Sequence, residues 1–235
     1  MLTQMGIEGQ EKLAKASALI IGMGGLGSPV AMYLASAGVG HLVLVDDDTV
    51  ELSNLQRQII HNCDSIGVSK VESAKNHLQS LNPECRITPV AKRLDHAELL
   101  LQVQQVDVVI DASDNFHTRF QLNEICVQSR KPLVSGAAIR LEGQVTVFRN
   151  DIDNSPCYHC LYKDEGELDQ SCSTNGVLAP LVGIIGSVQA LEAIKIMANF
   201  GDDLNGRLLL LDAEHMEWRQ LKLKKDPACP VCGTK

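Results

Sequence analysis

The stretch Ile20-Ile21-Gly22-Met23-Gly24-Gly25-Leu26-Gly27 decides the fold. A short apolar run ends in three glycines at G-x-G-x-x-G spacing (Gly22, Gly24 and Gly27), with Gly25 inside the same turn, and an Ala-rich helical pattern follows over residues 28–37. Strand, tight turn and helix start in that order aim backbone N–H groups and the positive end of a helix dipole at a phosphate. Glycine is required wherever a side chain would block that approach. The turn by itself suits NAD, FAD or ATP equally.

Outward from the turn, the pattern repeats. Buried strands are expected at 41–45, 86–90, 106–110 and 132–137, alternating with helices at 8–16, 68–81, 94–104 and 120–128. Asn82-Pro83 stops the second of these helices, because proline cannot continue the hydrogen-bond ladder. Strands of near-continuous Val, Ile and Leu between helices imply a parallel sheet covered on both faces. After residue 138 the pattern changes. Residues 142–148 alternate like a strand with one wet face, 177–200 form a long apolar helix, and 206–212 and 217–223 read as two further strands. The fold class is therefore α/β: a Rossmann-like, mostly parallel sheet with helices on both faces and antiparallel C-terminal strands. A single domain is expected over 1–235, with a nucleotide-binding half at 1–138 and a second half at 139–235.

Composition narrows the function. The 235 residues carry a net charge of −8, which argues against a nucleic-acid partner. No run of about 18 apolar residues is read, so no membrane span is expected. The first ten residues lack the basic-then-apolar pattern of a secretory signal. Four of the eight cysteines form two C-x-x-C pairs, Cys157/Cys160 and Cys229/Cys232. Without a signal, this points to the reducing cytoplasm and one metal site rather than disulfides. Four thiolates suit tetrahedral, structural Zn²⁺ that pins the C-terminus to the middle of the chain.

Three further groups carry chemistry. Asp46 ends the second strand, where an acid accepts hydrogen bonds from ribose hydroxyls; Asp47 and Asp48 stand beside it. Arg57 follows, and Lys70 opens the next helix. A hydride-transfer enzyme has no use for Arg here, whereas a triphosphate does, since guanidinium grips phosphate oxygens bidentately. Asp111-Ala-Ser-Asp114-Asn115 lies beyond the carboxyl end of a strand. Asp114 there suits Mg²⁺, and Asp111 is either an alternative ligand or a helix cap with Ser113. Cys172, in a polar segment before the long helix, is either a nucleophile or an inert surface thiol. Cys126 reads as core, and Trp218 and the four Phe as packing residues.

Together these residues resemble the prokaryotic E1-like, ubiquitin-activating-like adenylyltransferases, which serve molybdenum-cofactor and thiamine biosynthesis. The resemblance rests on Gly22-Met-Gly-Gly-Leu-Gly27, Asp46-Asp-Asp48, Ser53-Asn-Leu-Gln-Arg-Gln58, Gly67-x-x-Lys70, Asp111-x-x-Asp114-Asn115, both C-x-x-C pairs, and Cys172 upstream of Gly176-Val-Leu-Ala-Pro-Leu-Val-Gly183. It implies ATP-dependent adenylation of the C-terminal Gly-Gly carboxylate of a small ubiquitin-like sulfur-carrier protein. By the same resemblance, Gly22, Gly24, Gly25, Gly27, Asp46 and Asp48 belong to the nucleotide site. Asn54, Arg57 and Lys70 contact phosphates, and Asp114 with Asn115 stands at the Mg²⁺ end. Cys172 matches a cysteine that forms a covalent or sulfur-transfer link in some relatives, within a crossover loop at 161–176. A homodimer is implied, as is a sulfurtransferase or cysteine desulfurase as a further partner. Relatives begin with an Arg-Tyr-x-Arg-Gln-type run that this sequence lacks, starting instead at Met1-Leu-Thr-Gln. Two other readings stand beside this one: an NAD(P)-dependent oxidoreductase, for the glycine turn and Asp46 alone, and a non-catalytic carrier-binding scaffold, for the missing arginine.

Overall fold

Eight strands form one sheet in the order β3-β2-β1-β4-β5-β6-β7-β8 in a computed structural model that describes residues 3, 5–163 and 176–233. The strands are β1 Ser17–Ile21, β2 His41–Val45, β3 Arg86–Val90, β4 Val108–Asp111, β5 Pro132–Ile139, β6 Glu142–Arg149, β7 Arg207–Asp212 and β8 Glu217–Lys222. The first five are parallel, and β5 through β8 pair antiparallel. The expected fold class is the observed one. The chain leaves β1 for β2 and β3 on one side, then crosses to β4 on the other side of β1. Strand order therefore reverses between β1 and β4, and the crevice outside their carboxyl ends is where such sheets bind ligands.

The helices are α1 Gly6–Lys15, α2 Gly27–Ser36, α3 Lys70–Leu81, α4 His96–Gln104, α5 Phe116–Gln128, a single turn α6 Tyr158–Leu161, and α7 Ala179–Ala198. Alternate residues of each buried strand point to opposite faces. Ile20, Leu42, Leu44 and Ile110 therefore join Leu13, Val30, Leu34, Leu78 and Ile185 from α1, α2, α3 and α7. Leu19, Val43, Val109 and Leu133 join Leu99, Val103, Leu122 and Ile125 from α4 and α5. Cys126 is buried in this second cluster, as expected.

Three expectations need correction. Helix α5 starts four residues earlier than its apolar pattern, because the Asn115 side chain caps it by accepting the Thr118 N–H at 2.9 Å. Trp218 does not pack inside; on β8, exposed along its whole length, it is 42% exposed. Helix α7 is a stretch long and apolar enough to cross a membrane, with mean hydropathy 1.6. Here it is a core helix instead. Leu181, Val182 and Ile185 are buried against the sheet, and the Gln189 amide donates to the backbone oxygen of Asp111 at 2.7 Å. Buried Glu192 forms an ion pair with Lys195 and accepts the Leu204 N–H.

Candidate functional site

The four glycines of the turn are glycine for different reasons. Gly22 has φ +95°, and a Cβ there would lie 2.6 Å from the Ala112 backbone oxygen, at the exit of β4. At Gly27 a Cβ would stand 1.9 Å from the Gly22 oxygen, and at Gly25 it would meet the Val182 side chain at 2.9 Å. These three let strand, turn and helices close on one another. Gly24 is different: its nearest neighbour would be the Gln58 amide at 3.6 Å, an ordinary contact. The protein itself leaves room for a side chain there. Among the described residues no hydrogen bond engages the Gly24 or Gly25 N–H, while the Gly24 oxygen accepts from Ser28. The turn thus presents two unused backbone donors over a position without a side chain, next to the start of α2. That is the composition of an anion cradle.

Asp46 holds the turn from the β2 side. One carboxylate oxygen accepts the Met23 N–H at 2.7 Å, and the other accepts the Asp48 N–H at 2.9 Å. Burial pushes its carboxyl above the ordinary range, against the pull of Lys70 and the two backbone donors. A carboxylate has about four lone-pair sites, so acceptor capacity remains for ribose hydroxyls. The Asp48 carboxylate accepts from the Lys70 ammonium at 2.7 Å, and Lys70 is almost wholly buried at the start of α3. Lys70 is therefore held by a partner in this state.

The segment between β2 and α3 wraps back to the turn. Leu52–Asn54 form one 3₁₀ turn, and Asn54 and Gln58 are buried. The Gln58 Oε1 is buried without a hydrogen-bond partner, its amide facing Gly24. Arg57 is half-exposed, and among the described residues its one contact is to the Ser53 oxygen at 3.4 Å. Its guanidinium keeps most of its donors unengaged. His61 was not singled out from sequence. It is buried, its Nδ1 lies 2.9 Å from Ser73 Oγ, and its Nε2 lies 3.0 Å from the Met23 oxygen. Burial holds its pKa below the ordinary imidazole value, so the ring is neutral near pH 7. The one sequence signal is the apolar Ile60 just before it, which is buried while Ile59 is exposed.

At the exit of β4 the two aspartates separate. Asp111 is buried and accepts from Ser113 Oγ at 2.6 Å and Ser135 Oγ at 2.9 Å, with the Arg119 guanidinium at 3.8 Å. It ties β4 to β5. Asp114 is exposed, and its only described contact is the Asn115 amide at 3.5 Å. The structure thus brings Gly22–Gly27, Asp46, Asp48, Lys70 and the 54–58 segment around one turn. Asp114 stands three residues beyond β4, in the loop whose Ala112 oxygen closes on Gly22. Asn115 has its side-chain oxygen engaged in capping α5.

The four paired cysteines converge. Sγ of Cys157 lies 3.7 Å from that of Cys229, Sγ of Cys160 lies 3.5 Å from that of Cys232, and all four are within 4.8 Å of one another. Zinc–sulfur bonds of about 2.3 Å at tetrahedral angles place sulfurs roughly 3.8 Å apart. Asn123 Nδ2 donates to Cys157 Sγ at 3.6 Å, and the Asp226 N–H donates to Cys160 Sγ at 3.4 Å. Such outer hydrogen bonds orient and stabilise thiolates around a cation. The donor set and spacing fit one tetrahedral zinc. Cys172, most of the expected crossover loop, and the first two residues lie outside the described residues.

Known proteins match this chain along nearly its whole length. The model of the ThiF family matches residues 1–231. The molybdopterin-synthase adenylyltransferase of Escherichia coli (strain K12) is 49% identical over 233 residues, covering 99% of this chain and 93% of that protein. The SAMP-activating enzyme E1 of Haloferax volcanii is 44% identical over 235 residues, covering 99% of this chain and 86% of that one. The adenylyltransferase and sulfurtransferase MOCS3 of Culex quinquefasciatus is 44% identical, with this chain spanning 53% of its length. Among solved structures, E. coli MccB with succinimide superposes with a TM-score of 0.86 over 97% of this chain and 69% of that one, at 24% identity, which speaks to the fold.

Proposed function

Because this chain belongs to the ThiF family, we propose that it adenylates the C-terminal carboxylate of a small ubiquitin-like sulfur-carrier protein ending in Gly-Gly. A carboxylate oxygen bonds to the α-phosphorus of ATP, the bond from that phosphorus to the bridging oxygen of pyrophosphate breaks, and the carrier leaves as an acyl-adenylate. The observation that carries this reading is the unused pair of N–H groups at Gly24 and Gly25, set at the sheet's switch point; the Arg57 guanidinium, on the segment that brings Gln58 to Gly24, keeps most of its donors unengaged. Transfer of AMP needs positioning and charge neutralisation more than covalent help from the protein.

In this assignment residues 1–138 bind nucleotide and 139–235 bind the carrier. Gly22, Gly24, Gly25 and Gly27 form the phosphate cradle, and Asp46 and Asp48 form the ribose end. Asn54 and Arg57 contact phosphate, and Lys70 exchanges its ion pair with Asp48 for a phosphate contact. Asp114 supplies an oxygen ligand for Mg²⁺, with Asn115 beside it. The exposed edge strand β8, with Trp218 42% and Leu221 51% exposed on opposite faces, gives the carrier a sheet edge to dock on. Tyr33 and Leu191, exposed on the contacting helices α2 and α7, support a homodimer. We assign the molybdenum-cofactor branch, a cytoplasmic location, and a sulfurtransferase or cysteine desulfurase as the source of sulfur. Cys172 acts after adenylation. Exchange of labelled pyrophosphate into ATP is therefore expected to depend on the carrier, to be stronger with a molybdopterin-type than a thiamine-type carrier, and to survive Cys172→Ala. Exchange that ignores the carrier would remove this function.

For the cysteine cluster we propose one structural zinc per chain. Native mass spectrometry should find one zinc, and Cys160→Ser should lose it. Each missing link of such a site weakens a cross-connection between α6 and residues 226–233, since metal-binding free energy is also folding free energy. The apo protein should accordingly be cut by protease between residues 223 and 233 while the sheet stays folded. Protein purified under reducing conditions without any metal would refute the assignment.

A further inference from the structure

Met23 is held on both of its backbone polar groups by side chains far away in sequence. Asp46 from the end of β2 takes the Met23 N–H, and His61 reaches the Met23 oxygen at 3.0 Å. Ser73 on α3 in turn holds the other ring nitrogen of His61 at 2.9 Å. A carbonyl oxygen only accepts, so Nε2 carries the ring proton and Nδ1 accepts from the Ser73 hydroxyl. His61 and Ser73 are both buried, and Met23 is wholly so, which leaves water little access to replace these bonds.

The consequence lies on the other side of the peptide. In a planar trans peptide, C=O and the next N–H point in opposite directions. Fixing the Met23 oxygen against His61 therefore aims the Gly24 N–H away from α3. That N–H is one of the two unused donors of the cradle. Gly24 on one side gives this peptide more rotational freedom than a residue with a side chain would. Without an anchor on its oxygen, the donor would sample directions away from a phosphate.

We propose that His61, braced by Ser73, is a positioning residue of the nucleotide site: its Nε2–H sets the direction of the Gly24 N–H and so the affinity of the turn for phosphate. This rests on the ATP reading above. His61 reaches no substrate itself and acts through Met23. Since the turn would grip the phosphate alike before and during the reaction, the loss should raise KM for ATP with little change in kcat.

The test is ATP affinity, measured by titration calorimetry on the full zinc-loaded chain, with three variants. His61→Leu removes both bonds, and ATP binding is expected to weaken about 10-fold, the scale of one well-formed hydrogen bond. His61→Gln keeps an amide donor near the Nε2 position and should return within about 3-fold of wild type. Wild-type affinity in folded His61→Leu, or no rescue by Gln, overturns the proposal. Should His61→Leu fail to fold, Ser73→Ala decides: the ring keeps its place and loses its brace, so a drop of about 3-fold supports the role, and unchanged affinity overturns it. Wild-type protein that binds no ATP would overturn the nucleotide reading and this proposal with it, whereas binding that is indifferent to His61 and Ser73 overturns this proposal alone.

Discussion

Arg57→Ala is expected to lower carrier-dependent pyrophosphate exchange by about 10²–10³-fold, the loss typical of one preorganised donor to charge that builds in the transition state. The expectation comes from how little else the side chain does. Its one described contact is a long hydrogen bond to the Ser53 oxygen, and it is half-exposed beside the buried Asn54 and Gln58. Removing it breaks no buried pair, so stability should change by no more than about 0.5 kcal/mol. That corresponds to a melting temperature within about 2 °C of wild type. Lysine should rescue only part of the activity, because an ammonium cannot make the bidentate grip of a guanidinium. Full exchange in Arg57→Ala would take the residue out of the phosphate site. A large drop in melting temperature would show that the residue holds the fold.

The second large effect separates two glycines three residues apart. Gly27→Ala is expected to destabilise the protein by about 3 kcal/mol, the upper part of the range for forced overpacking. For a chain this size that is a melting temperature lower by roughly 6–12 °C. The reason is backbone against backbone: the added Cβ would stand 1.9 Å from the Gly22 oxygen and 2.9 Å from its carbonyl carbon. No rotamer relieves that. Gly24→Ala should do the reverse. Its Cβ meets nothing nearer than the Gln58 amide at 3.6 Å, and its backbone is not in the left-handed region. Melting should stay within about 2 °C of wild type, while ATP affinity falls at least about 10-fold, because the methyl takes the space in front of two unused N–H donors. Circular-dichroism melts and calorimetry on the two variants settle both halves. A Gly24→Ala protein that binds ATP normally would mean the phosphate sits elsewhere; a Gly27→Ala protein that melts normally would mean that turn and helix are not in such close contact.

Much of this molecule could be read before folding, and the physical reason is that the signals are local. Runs of Val, Ile and Leu bounded by Gly, Asp and Pro place β1, β2 and β5 within a residue or two, since a strand buried on both faces tolerates little else; β3, a partly exposed edge strand, has only Ile87 buried. Two C-x-x-C pairs predict a four-sulfur cluster because each pair spans one tight turn, and only one partner pair exists in the chain. Asp111 and Asp114 were not separable in sequence. Both lie at the end of β4 or just beyond it, and which one is buried depends on Ser135 of β5 and Arg119 of α5, neither adjacent in the chain. Helix α5 began early for a similar reason: its first turn is polar and gains its place from the Asn115 cap.

The sequence by itself determined the class of the sheet, the glycine turn, the segment bearing Arg57 and Lys70, and the two cysteine pairs that converge, because each is written in residue types within a few positions of one another. Only the tertiary structure decided how they act together. Reversal of strand order between β1 and β4 puts Asp114 and the glycine turn at one crevice. The return of the 52–61 segment sets Gln58 over Gly24 and His61 behind Met23. Contacts between residues 38 positions apart, such as His61 with Met23, leave no periodic trace in a sequence. They arise from packing, where the burial of Ile60 carries His61 inward to the Met23 carbonyl, which accepts its proton.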